Sequence, residues 1–304
     1  MFNHYKFNCK IDFANKEGKM KFGIHSLLFT EYFLEKDIPL LEKFKNMGFD
    51  TVEINPYDPD NFPAKQVKKV SNELGISINI GYGMPEKYNI ISPDPTIRKE
   101  GIEFSKKLIN LSNEAGAVVF GGVIYCSWGY ITGKMRTEDE WKWGVEAFRE
   151  IAQFAEDTSN LILGIEPTNR FESHFINIAK DAVQFIKDVD LDNVYVLLDT
   201  FHMIREEDNI YQATKDVGKY LGYIHACENQ RGIPGTGLIP WKEFFIALKE
   251  VNYNGCITIE SFDPNMINIA KLCSIWRKLA DSPEQLAIQG LDFLKKKYGE
   301  IINN

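Results

Sequence analysis

Paired cysteines are missing from this chain. The five present (Cys9, Cys126, Cys227, Cys256 and Cys273) are odd in number, widely spaced and free of any Cys-x-x-Cys pair. That argues against a disulfide framework and against a thiolate zinc site. Long apolar runs are also missing. None approaches the roughly 18 residues that span a bilayer, so no membrane partner is expected. The first twenty residues hold no apolar signal core, and the expectation is a cytoplasmic protein. Positive charge is short too: 35 Lys and Arg stand against 43 Asp and Glu, a net charge of -8. A duplex-binding protein needs a basic face, so nucleic acid is not an expected partner. Short catalytic signatures are scarce. There is no HExxH and no GxSxG. Gly232–Gly237 is not a dinucleotide fingerprint, because Pro234 spoils a strand-to-helix turn. Gly129–Lys134 has the wrong spacing for a P-loop, with Met135 where Ser or Thr is required.

What the chain does have is alternation. Its 304 residues are 44% hydrophobic and 26% charged, an ordinary globular balance. Short β-branched apolar runs occur at 21–26, 51–55, 77–82, 117–122, 161–166, 194–199, 221–226 and 256–261. Between them lie stretches of helical periodicity, at 35–47, 63–74, 96–115, 138–158, 177–188, 240–252 and 283–298. Strands alternating with helices imply parallel pairing through crossovers. Eight units predict a closed (β/α)8 TIM barrel, with an open doubly wound sheet as the alternative. Helix-start chemistry at Ser92–Asp94 and Thr137–Asp139 supports the phase, as do Gly48 and Gly75 at helix ends. No Gly-, Pro- or Ser-rich linker interrupts the chain. The expectation is a single barrel domain over 20–304, with 1–19 as an N-terminal extension.

In such a barrel the chemistry gathers at the C-terminal ends of the strands. Four consecutive strands end in a candidate metal ligand: Glu166, Asp199, His225 and Glu260. One acid at a strand end means little, since it can cap a helix or pair with a lysine. Four in a row, each at the exit of a buried apolar run, are costly unless they share a partner. Three converging carboxylates repel one another, and a divalent cation resolves the conflict. Three oxygens and one imidazole suit Mn²⁺, Mg²⁺ or Co²⁺ better than a thiolate-preferring ion, with zinc kept as an alternative. Just past the same strand ends, Glu172, His202 and Arg231 are expected to face the mouth. His25 at the end of strand one and Trp128 in the aromatic loop 125–130 are further candidates for the pocket wall. Arg231 has a plain alternative as the partner of Glu228. Cys126 and Cys227 read as small buried hydrophobes, and His174 as structural.

Three segments carry a resemblance: E-P-T-N-R-F-E (166–172), L-D-T-F-H-M (198–203) and H-A-C-E-N-Q-R-G-I-P-G-T-G (225–237). Together with G-F-D-T-V-E-I (48–54), P-W-K-E (240–243) and I-W-R-K-L (275–279), they resemble the D-tagatose/D-psicose 3-epimerases of the xylose-isomerase-like barrels. The resemblance runs from Met20 to near the C-terminus. It implies metal binding by Glu166, Asp199, His225 and Glu260, and substrate contacts from Glu172, His202 and Arg231. It implies C3 epimerisation of a free ketose through an enediolate, with Glu166 and Glu260 as the acid/base pair. A homodimer or homotetramer is also implied. Rival readings are a sugar-phosphate epimerase, another isomerase or dehydratase of the superfamily, and a silent sugar-binding barrel. The chain departs from the family pattern at His25, where an aromatic residue is usual, and at Pro167–Thr168, Cys227 and Ser261. No ligand is lost, but the preferred sugar is thrown open.

Overall fold

The computed structural model describes residues 20–302, so the expected extension over 1–19 lies outside the described residues. Eight parallel strands close into a barrel in sequence order, β1 pairing with β8. They are β1 (Lys21–His25), β2 (Thr51–Ile54), β3 (Ser77–Gly83) and β4 (Ala117–Val123), then β5 (Ile162–Ile165), β6 (Val194–Asp199), β7 (Leu221–Ala226) and β8 (Cys256–Ile259). All eight expected strands are present, and the open-sheet alternative is excluded. The fold reading rests on this closure.

The helices follow from local chemistry. Around the barrel run α1 (Pro39–Asn46), α2 (Ala64–Leu74), α3 (Pro95–Glu114), α4 (Glu138–Thr158) and α5 (Ala179–Val189). After these come α6 (Thr200–Glu206), α7 (Ile210–Val217), α8 (Trp241–Glu250), α9 (Ile267–Leu272) and α10 (Pro283–Ile302). Asp94 caps α3 by accepting from the Thr96 N–H, with Pro95 at the first helical position. Thr137 and Glu140 form a reciprocal capping box at the start of α4. Gly75 ends α2 in the left-handed region, at φ 62°. The helix expected from residue 35 begins at Pro39 instead, because residues 35–37 form a tighter 3-10 turn. Helices α6, α7 and α9 were not anticipated. Each is only six to eight residues long, too short for the apolar period to show.

Two layers of core result. Side chains of the strands and inner helix faces form the main layer, with Phe44, Phe148, Phe185 and Phe244 fully buried. Inside the barrel sits a smaller plug of Val119, Ile162, Leu197 and Tyr223. A third cluster lies at one edge of the C-terminal mouth. There Leu27, Phe262, Ile269, Ala270 and Ile275 pack α9 and its flanks over the β1/β8 side. No described helix is long and apolar enough to cross a membrane.

Candidate active site

Each predicted ligand stands at or just beyond the end of its strand, and all are buried or nearly so. One donor atom from each of Glu166, Asp199, His225 and Glu260 lies within 4.8 Å of all the others. Strands β5 to β8 are successive staves, so their ends form one arc of the mouth. A buried carboxylate there has no access to bulk water, and the groups answer one another instead. His225 Nδ1 faces Glu166 Oε1 at 3.3 Å and Glu260 Oε2 at 3.7 Å. Its Nε2 donates to Glu53 Oε2 at 2.9 Å.

The electrostatics follow. Burial alone would lower His225, but the Glu53, Glu260 and Glu166 carboxylates outweigh it and hold the imidazole well above its ordinary value. Burial raises Glu166, only partly offset by His225 and His202. Burial also works against ionised Glu260, yet the Arg231 guanidinium and His225 hold it far below the usual carboxylate range. Arg231 Nη1 donates to Glu260 Oε2 at 2.5 Å and to Asp199 Oδ2 at 2.9 Å. The guanidinium lies over the Phe201 ring, 3.7 Å from its centroid. Arg231 therefore does not use its side chain on Glu228, the plain alternative. Glu228 is instead fully occupied by N–H groups of Gly235, Ile239, Trp241 and Asn229.

The donor set fits a divalent cation. Three carboxylates converge with one imidazole, and Nε2–H donation to Glu53 leaves Nδ1 turned toward the carboxylates. A carboxylate on the far nitrogen is the usual device for fixing a ligating histidine. Cation binding would displace the His225 proton, as ligand deprotonation requires.

The residues past the ends of β5 and β6 continue the same arc outward. His202, on the first turns of α6, accepts at Nδ1 from the Asn169 backbone N–H at 3.1 Å. The Asn169 side-chain amide lies 2.9 Å from the same nitrogen. His202 Nε2 is thereby left as the donor, 3.6 Å from Asp199 Oδ2 and 3.7 Å from Glu166 Oε1. Glu172 does not orient His202 directly. Its Oε1 accepts from Asn169 Nδ2 at 2.9 Å and its Oε2 from Trp128 Nε1 at 2.7 Å. Asn169 is thus the link between them, a role hidden in the sequence. Cys227 is buried but not inertly so: its thiol, pushed well up by burial, touches Arg231 Nη1 and the Glu260 carbonyl. Cys126, raised to about 12 by burial, sits against Ser173. His174 bonds Glu140 and the Tyr130 carbonyl, away from the site.

These groups line a small cavity of about 60 Å³ that opens at the barrel mouth. His25 and Trp128 line it, as do three residues the sequence reading passed over: Glu53, Asn55 and Tyr57. Glu53 accepts from Tyr223 and His225 through one oxygen. It fits only because Gly81 opposite has no side chain; a Cβ there would fall 2.2 Å from Glu53 Oε1. Its signal was available as an acid inside the apolar run T-V-E-I (51–54), where an ionisable group needs a reason.

With this geometry in place, known proteins can be set beside it. The xylose isomerase-like TIM barrel family model matches residues 41–297. The D-psicose 3-epimerase of Ruminiclostridium cellulolyticum is 34% identical over 271 residues, 88% of this chain and 92% of that protein. A crystal structure of D-psicose 3-epimerase with D-tagatose, from Clostridium cellulolyticum H10, superposes with a TM-score of 0.86 at 33% identity, covering 92% of this chain and 99% of that one. A structure of L-ribulose 3-epimerase gives a TM-score of 0.89 at 28% identity, covering 93% and 96%. The chain belongs to the xylose isomerase-like TIM barrels and, among them, to the ketose 3-epimerases. It is a carbohydrate epimerase.

Proposed function

We propose that the protein inverts C3 of a free ketose of the D-tagatose, D-psicose, D-fructose and L-ribulose class, using one divalent ion per chain, Mn²⁺ in preference to Co²⁺ or Mg²⁺. The observation that carries this is the convergence of Glu166, Asp199, His225 and Glu260, with the two glutamates coming from β5 and β8 at either end of the arc. When bound, the ion supplies Lewis-acid polarisation of the C2 carbonyl, which makes the C3 hydrogen acidic. The rest is done by the chain. One glutamate removes the C3 proton from one face, the substrate passes through a cis-enediolate, and the other returns a proton to the opposite face. Their roles exchange with the configuration of the substrate. His202 Nε2–H and the Arg231 guanidinium donate to the oxygens that gain charge as the proton leaves. Glu172, braced by Trp128 and Asn169, holds a substrate hydroxyl.

Deuterium NMR tests this. In D₂O with Mn²⁺, deuterium is expected at C3 together with the C3 epimer, and EDTA abolishes both. Glu166→Gln and Glu260→Gln each remove turnover while the fold survives. Exchange at C1, or no exchange with any free ketose, overturns the reading. With it go the sequence-based expectations of a cytoplasmic homodimer or homotetramer, which sedimentation of the purified protein tests for assembly.

A further inference from the structure

The catalytic groups occupy one arc of the mouth, from β5 to β8. Across the cavity, at the ends of β1 and β2, lies a second set of polar residues, one of them Glu53 behind His225, that present atoms this chemistry leaves unpaired. His25, Glu53 and Asn55 are 2%, 1% and 4% exposed. All three line the same cavity.

Their hydrogen-bond capacity is unfilled. His25 Nδ1 accepts from the Leu27 N–H at 3.1 Å. Because Nδ1 is an acceptor, the ring proton sits on Nε2. That Nε2 lies 3.7 Å from Glu53 Oε1, beyond hydrogen-bond reach. Glu53 Oε1 has no partner among the described residues, although Oε2 has two. Asn55 stands against the Tyr57 hydroxyl, and its Oδ1 is likewise unpartnered. Native interiors seldom leave buried polar atoms so. Here one donor and two acceptors face a single space.

A hydroxyl group fits the gap. With hydrogen bonds of about 2.8 Å, one oxygen can accept from His25 Nε2–H and donate to Glu53 Oε1 at once. A neighbouring hydroxyl can donate to Asn55 Oδ1. On the ketose reading, which this inference rests on, C1 to C3 lie among the β5–β8 residues. The remainder of the sugar then falls on the β1–β2 side.

We propose that His25, Glu53 and Asn55 form a distal subsite that hydrogen-bonds the ketose hydroxyls beyond C3, with His25 as the specificity-determining donor. A polar wall of this kind selects polyol ends over deoxygenated or apolar ones. An analogue lacking the read hydroxyl leaves buried groups unpaired, which is where binding sites discriminate most strongly.

The test compares kcat/KM for D-psicose and its 4-, 5- and 6-deoxy analogues in wild type, His25→Asn and His25→Gln. Asparagine keeps an acceptor for the Leu27 N–H but cannot reach the cavity, whereas glutamine places an amide donor near the Nε2 position. In wild type at least one deoxy analogue is expected to fall tenfold or more. His25→Asn should lower the full sugar by about tenfold, the loss of one hydrogen bond, and affect that analogue less than twofold. His25→Gln should recover part of the difference. Metal affinity and melting temperature, measured alongside, should match wild type in His25→Asn. Equal treatment of all analogues by wild type overturns the subsite. So does an equal loss for every sugar in His25→Asn, which marks a structural role. Absence of C3 deuterium exchange with any free ketose in wild type is a different result. It removes the epimerase reading and the subsite with it.

Discussion

Glu228 offers a sharp test of how the site is held. Its carboxylate is fully buried, directly after β7 and three residues before Arg231. Oε2 accepts from Gly235 N at 2.7 Å and Trp241 Nε1 at 2.9 Å; Oε1 accepts from Ile239 N at 3.0 Å and Asn229 N at 3.4 Å. The loop that carries Arg231 is therefore folded around one side chain. Glu228→Gln keeps the volume but replaces one oxygen with an NH₂ group. Whichever way the amide turns, two N–H groups then face a donor. The less costly orientation sacrifices the Ile239 and Asn229 bonds. One good bond to a charged acceptor and one long one are lost, with a buried N–H left unpaired, for about 3 kcal/mol in all. At roughly 2 °C per kcal/mol for a chain of this size, the melting temperature falls about 6 °C. Because Arg231 has its backbone at φ 63° and depends on this loop, kcat/KM should fall at least tenfold even where the protein is fully folded. Calorimetry at a fixed scan rate and a ketose turnover assay below the transition read the two effects. A melting temperature within 1 °C of wild type with unchanged turnover would refute the reasoning.

Further expectations follow from the same geometry. Glu53→Gln removes the negative charge behind His225 and should weaken Mn²⁺ binding about tenfold by titration calorimetry; an unchanged affinity contradicts the assigned link. Gly122→Ala should destabilise strongly, since φ is 111° and a Cβ would sit 2.6 Å from the Tyr82 carbonyl; urea unfolding measures it. Thr137→Ala breaks the α4 capping box and should cost about 1 kcal/mol in the same assay. Against burial, which would raise it, the Thr137 N–H and His174 hold Glu140 below its ordinary value. A lowered folded value means stability fully present above the unfolded carboxylate value and lost as pH falls from there through the lower folded value. Glu140→Gln should therefore destabilise at pH 7, with the difference from wild type narrowing as pH falls below the unfolded glutamate value of about 4.3.

The barrel and the convergence of four side chains at its strand exits were legible because both rest on long-period patterns. Eight apolar runs each announce a buried parallel strand, and an acid or histidine at four successive exits has no cheap explanation other than a shared partner. The rest depended on packing that no spacing reveals. Asn169 reads as one polar residue of E-P-T-N-R-F-E, yet it joins Glu172 to His202. Glu53 sits within a strand rather than at its end, so a search of strand exits passed it by. Arg231 was assigned to the mouth, but its true neighbours come from β6 and the end of β8, distant in sequence. Two glycines of 232–237, which fail as a phosphate loop, have packing reasons instead: Gly235 has φ 89° and no room against the Phe293 ring, and Gly237 lies against Glu228. Gly235 donates to it and a Cβ on Gly237 would collide with it.

The arrangement of the mouth has a consequence for how such enzymes diversify. The groups proposed to move the C3 proton come from the second four staves, whereas His25, Glu53, Asn55 and Tyr57 stand at or just past the ends of the first two. Glu53 ties the two arcs together by hydrogen bonds to His225 and Tyr223, and the His25 ring meets the His225 ring edge-on. Substitutions at positions 25, 55 and 57 can therefore redraw which sugar is admitted without passing through a chemically dead ancestor. Position 53 is the exception, where a change in taste would also be a change in machinery.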